Sequence, residues 1–114
     1  MVKLILDSWK ALRFALIGFK FASEQRAFRL ELLLSVILVP LGCILGNTGI
    51  ERALLLGSWL MVLVVELLNS AIETAIDRVG REHHILSGKA KDLAAAAVLM
   101  SFGVAGMIWI LVIF

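Results

Sequence analysis

The chain has 114 residues, of which 61% are hydrophobic, and a formal net charge of only +2. Ordinary soluble domains hold roughly 45 to 50% apolar residues, so a chain this apolar, with a mean hydropathy of +1.01, excludes a simple water-facing globule and points to a surface solvated by lipid. One Pro, nine Gly and no Ser/Gly/Pro-rich stretch leave no candidate linker, so a single unit without repeats is expected. The lone Cys43 cannot staple a fold and reads as a small hydrophobe.

In chain order, residues 1–28 come first. Lys3, Asp7, Lys10 and Arg13 recur at spacings of three and four, leaving Leu4, Ile5, Trp9, Leu12, Leu16 and Ile17 on the remaining faces. This pattern predicts an amphipathic helix lying in the headgroup plane. Its scattered charges do not match a cleaved signal peptide, so the segment is expected to be retained.

Residues 30–47 form the first predicted span; Leu32 to Leu45 is uncharged and carries Pro40 in its middle, which predicts a short or kinked helix. Residues 52–78 form the second, and residues 92–114 the third, with no charge from Leu93 to Phe114. At about 20 apolar residues per crossing of a ~30 Å hydrocarbon core, the fold class is an all-α membrane protein, a surface helix followed by three transmembrane helices.

Lys and Arg set the expected orientation. Six lie in the N-terminal segment (Lys3, Lys10, Arg13, Lys20, Arg26, Arg29), four lie between Arg78 and Lys91, and the first connection has only Arg52. By the positive-inside rule, the N-terminus and second connection are cytoplasmic, and the C-terminus is outside. Small residues at Gly42, Gly46 and Ala94 to Ala97 permit close helix approach. Three thin helices cannot by themselves shield a polar site from lipid, so self-association is expected.

The polar site is on the second span. Glu66, Asn69, Ser70, Glu73 and Asp77 fall on one stripe of a helix. A carboxylate within the bilayer costs about 2.5 to 3.5 kcal/mol even on insertion scales and usually marks function. If the span enters near Ala53, Glu66 lies roughly 20 Å in and Glu73 about 10 Å further, at the inner interface. Lys89, Lys91 and Asp92 then stand at the mouth of the third helix, where they can grip a polyphosphate and order its metal. Their plainer role is as positive-inside anchors, with Asp92 as a helix cap. Neither GxxxxGK[ST] nor GxGxxG is present. His83 and His84 lack spaced partners and read as loop residues, and Trp9, Trp59 and Trp109 as interface or packing aromatics.

The run Val65-Glu66-Leu67-Leu68-Asn69-Ser70-Ala71-Ile72-Glu73, with Asp77, the loop from His84 to Gly88, Ala90-Lys91-Asp92, and Ala27-Phe28-Arg29 and Glu31 before the first span, resembles the signature of the prokaryotic diacylglycerol kinase family. The resemblance implies a homotrimer in the inner membrane with active sites between neighbouring subunits, MgATP as phosphoryl donor and diacylglycerol as acceptor, and no nucleic-acid partner. Residue by residue, it implies Glu66 as catalytic base, with Asn69, Ser70 and Glu31 at the lipid substrate. Glu73, Asp77, Lys91, Asp92 and Lys10 fall to the nucleotide, and Glu73 and Glu24 to Mg²⁺. The chain departs from the family pattern at Gln25, which stands where the acid before the first span is expected; Glu24 stands one residue earlier.

Two competing readings stay open on the sequence. Undecaprenol is an alternative lipid alcohol for the same fold, and intramembrane carboxylates also build proton or ion relays. Against a channel, only Ser58 and Trp59 offer polarity between Ala53 and Val65. An acid-bearing structural subunit without chemistry is the third possibility.

Overall fold

The computed structural model describes residues 1–80 and 84–114. Among them it shows four helices and no strand: α1 (Val2–Ala22), α2 (Arg26–Leu45), α3 (Gly49–Val79) and α4 (Ile85–Ile113). The last three are long and apolar enough to cross a membrane. The prediction for His83 lies outside the described residues.

Each boundary has a local cause. The surface helix ends at Ala22, earlier than expected, because Ser23 to Gln25 form a tight turn in which the Gln25 N–H donates to the Ala22 carbonyl (2.9 Å). This corner buries Ala22 and Phe28. Pro40 sits inside α2, which continues to Leu45 although the ring removes one backbone donor.

The α2–α3 connection is closed by several bonds. The Gly46 N–H donates to the Gly42 carbonyl (3.1 Å), and Arg52 Nε donates to the Cys43 carbonyl (3.1 Å). Thr48 and Glu51 form a reciprocal capping box at the start of α3. Gly46 is required here by close approach, since a Cβ would lie 2.5 Å from Arg52 Cγ and 3.0 Å from the Arg52 nitrogen.

The third helix is longer than the expected 92–114 span. It starts at Ile85, well before residue 92, and its N-cap is His84, whose Nδ1 accepts from the Leu86 N–H (3.1 Å). Lys89, Lys91 and Asp92 therefore ride on the first turns of α4, and Asp92 is not the cap. The imidazole acceptor satisfies one of the helix's orphan donors earlier in the chain.

Helix α3 is the central element, packed against α4 on one side and α2 on the other. Leu55 and Val62 are fully buried. Trp59, Val62 and Ala105 form a core against which Leu38 and Val39 pack, and the Trp59 and Phe102 rings meet edge to face at 6.2 Å. The remainder is open. The accessible surface is 8739 Å², against roughly 6,200 Å² for a compact soluble monomer of this mass. The excess is apolar helix surface, as expected where lipid replaces water.

Helix α1 stands apart, exposed along its length except at Ala22. The molecule measures 48 × 45 × 22 Å. Helices of 29 to 31 residues account for one dimension of about 45 Å.

Candidate active site

The acid stripe of α3 divides into a buried part and an exposed part. Glu66 is 4% exposed and Glu31, near the start of α2, is 5% exposed; the two carboxyls lie close enough for their charges to interact. Asn69 is one turn along α3, and its Nδ2 donates to Glu66 Oε1 at a long 3.5 Å. Glu31 Oε2 and Asn69 Oδ1 are buried with no hydrogen-bond partner among the described residues. Buried acceptors of this kind are uncommon and require an account. Both lack a donor, and a hydroxyl group is one.

A second layer holds this cluster in place. Trp59 Nε1 donates to Ser35 Oγ (2.8 Å), and the Ser35 hydroxyl donates to the Glu31 carbonyl (2.7 Å). The Glu31 turn of α2 is thereby tied to the core of α3. Trp59, read from sequence as packing or interface, thus also has a positioning bond; indole spacing alone could not reveal its partner twenty-four residues away.

The exposed part is at the Val79 end. Glu73 and Asp92 are exposed, and Asp77 accepts from Lys91 Nζ at 2.9 Å, with the two side chains 48% and 42% exposed. Such a pair contributes little to stability, yet it shows that α4 presents Lys91 to the acid stripe. Ser70 is half-buried and lines a cleft together with the exposed Glu24 and Gln25.

The residues predicted from sequence are therefore brought together in three groups: Glu31 with Glu66 and Asn69, Asp77 with Lys91, and Ser70 with Glu24. Lys10 is exposed and forms no ion pair among the described residues. Nor do any three acidic, His or Cys side chains among them come together as a set able to hold a metal ion. Glu73 and Glu24 offer the hard oxygens magnesium prefers, but one chain does not assemble them into a complete site. The reason is geometric: Glu73 projects from the exposed stripe of α3, whereas Glu24 belongs to the turn after α1.

An apolar helix bundle with carboxyls buried on two of its spans, and a lysine on the third paired to the acid stripe, defines an integral membrane protein with a polar cluster inside an apolar frame. The sequence model of the family described as prokaryotic diacylglycerol kinase matches residues 13–113. The chain is 46% identical to a diacylglycerol kinase of Haemophilus influenzae over 98 residues, covering 85% of this chain and 83% of that one. It is 45% identical to the Escherichia coli K12 diacylglycerol kinase over 102 residues, 90% of this chain and 79% of the other. To the Pseudomonas aeruginosa diacylglycerol kinase it is 43% identical over 97 residues, with 84% and 79% covered. The chain belongs to the prokaryotic diacylglycerol kinase family.

Proposed function

We propose that this protein transfers the γ-phosphate of ATP to the hydroxyl of diacylglycerol, giving phosphatidic acid and ADP at the inner face of the inner membrane. Family membership supports the reaction class. The observation that carries the assignment of residues is the buried Glu31, Glu66 and Asn69 cluster with its two acceptors awaiting a donor.

In this reading the lipid hydroxyl, which has a single hydrogen to donate, enters beside Glu66, meets the unmatched Glu31 Oε2 first and then passes that hydrogen to Glu66. Asn69 holds one Glu66 oxygen and leaves the other to take the hydroxyl proton. The lipid oxygen attacks the γ-phosphorus, the bond to the β-phosphate oxygen breaks, and ADP leaves with that electron pair. Glu31 positions the hydroxyl, and Ser70 lines the approach. A correctly placed base contributes about 10² to 10⁴ in rate, with alignment supplying most of the rest.

Glu73, Asp77, Lys91, Asp92 and, from α1, Lys10 serve the triphosphate. Glu73 would offer one oxygen ligand to magnesium, which would supply charge neutralisation when bound with ATP. The metal's other protein ligands would come from a neighbouring subunit of a homotrimer. The positive-inside bias puts the Arg78 end of the bundle and α1 in the cytoplasm, where ATP is available.

The test is transfer of radiolabel from the γ-phosphate of ATP to lipid alcohols in mixed micelles. Diacylglycerol is expected to be the fastest acceptor. Faster labelling of undecaprenol would reassign the substrate, and ion flux in liposomes without ATP consumption would replace the kinase by a relay.

A further inference from the structure

Two side-chain hydrogen bonds join α2 to α3 among the described residues. At the Gly49 end Arg52 Nε donates to the Cys43 carbonyl, and further along Trp59 Nε1 donates to Ser35 Oγ at 2.8 Å. Between them stands Pro40, whose ring nitrogen has no hydrogen to give the Val36 carbonyl. The helical ladder of α2 is thus interrupted one turn beyond Ser35. The Arg52 anchor reaches the Glu31 half of α2 only across that gap, so this half needs an anchor of its own.

Ser35 and Trp59 are placed to supply it. Ser35 is four residues from Glu31, and its hydroxyl donates to the Glu31 carbonyl at 2.7 Å. Trp59 is seven residues from Glu66, so these two buried side chains share one face of α3. The three-residue connection 46–48 makes the packed helices α2 and α3 antiparallel. From the Ser35–Trp59 bond toward the Val79 end, Glu31 therefore follows after roughly 6 Å and Glu66 after roughly 10 Å. A slide of α2 by two residues, about 3 Å, carries the serine oxygen out of reach of the indole. Both groups would then lose a partner that lipid does not replace. Leu38 and Val39, packed against the Trp59 core, make contacts without direction and resist such a slide less sharply.

We propose that the Ser35–Trp59 bond is a register pin, which sets the height of the Glu31 turn of α2 against Glu66 of α3. Fixing register is the best-attested use of a polar contact inside an apolar helix interface. Both are positioning residues, acting through Glu31. The consequence for turnover rests on the proposed reaction; the register itself does not.

The test combines turnover with a distance that needs none. In a Cys43→Ser background, nitroxide labels replacing the exposed Leu33 and Leu68, diluted with unlabelled chain, report the spacing of α2 and α3 by pulsed electron resonance. Ser35→Ala and Trp59→Phe should each shift or broaden that distance. In unlabelled protein each should lower kcat by about three- to tenfold, the range one hydrogen bond covers, with the KM for ATP unchanged and activity normalised to folded protein. The double variant should fall no further than either single one, because both remove the same bond. Ser35→Thr, which keeps the hydroxyl, should restore distance and kcat. An unchanged distance or kcat in Ser35→Ala overturns the proposal, as do losses that multiply in the double variant, the mark of two separate packing roles. A wild type that labels no lipid, while Ser35→Ala still shifts the distance, sinks the proposed reaction and leaves the pin. Wild-type turnover with a distance that Ser35→Ala does not move sinks only the pin.

Discussion

At the Gly49 end of the bundle, polar groups are matched with partners. Thr48 and Glu51 cap each other's backbone, Arg52 closes the end of α2, and Trp109 Nε1 donates to the Leu55 carbonyl at 3.0 Å. Toward the Val79 end, Glu31 Oε2 and Asn69 Oδ1 are buried and unmatched, and Glu73 is exposed. In lipid no water is available to satisfy stray groups, so the matched end is built for stability. In the proposed reaction the unmatched groups lie where the lipid hydroxyl enters.

Four substitutions break or sharpen this contrast. Glu66→Gln keeps the shape and the Asn69 neighbour but removes the proton acceptor; turnover in the label-transfer assay should fall by about 10² to 10⁴, with the thermal midpoint unchanged or raised. Retained turnover would mean that the buried acid is structural. Gly46→Ala should act in the opposite sense, costing about 1 to 3 kcal/mol of stability by overpacking against Arg52. Its folded fraction should turn over normally, as read by activity normalised to folded protein.

Trp59→Phe tests the link between the two ends. It keeps most of the ring packing and loses the bond to Ser35, worth about 0.6 to 1.5 kcal/mol. Because Ser35 holds the Glu31 turn, kcat should fall several-fold while the KM for ATP stays constant. A stability loss with no change in kcat would confine Trp59 to packing. The smallest stability effect is expected from Lys91→Met, since an exposed pair contributes about 0 to 1 kcal/mol. Its KM for ATP should nonetheless rise by about tenfold, the loss of one charged contact to phosphate.

Much of this molecule was legible in its residues. Uncharged runs of bilayer length gave the three spans, and the spacing of Glu66, Asn69, Glu73 and Asp77 placed them on one helix stripe, because helical period and bilayer thickness are local, one-dimensional rules. The helix ends were less so. The third span was expected from residue 92, but its helix begins at Ile85 with His84 as the cap, and the tight turn at Ser23 to Gln25 ended α1 early.

What only the tertiary structure decided is which polar groups meet. That Glu31 and Glu66 are both buried, that Trp59 reaches Ser35, and that Glu24 and Arg78 line one cleft all depend on how α1, α2 and α3 are set against one another. Composition, charge bias and periodicity describe each helix alone, and they determined a three-span membrane protein with an acidic face. The pairing of that face with particular neighbours comes from helix packing, whose angles and rotations no single stretch of chain encodes.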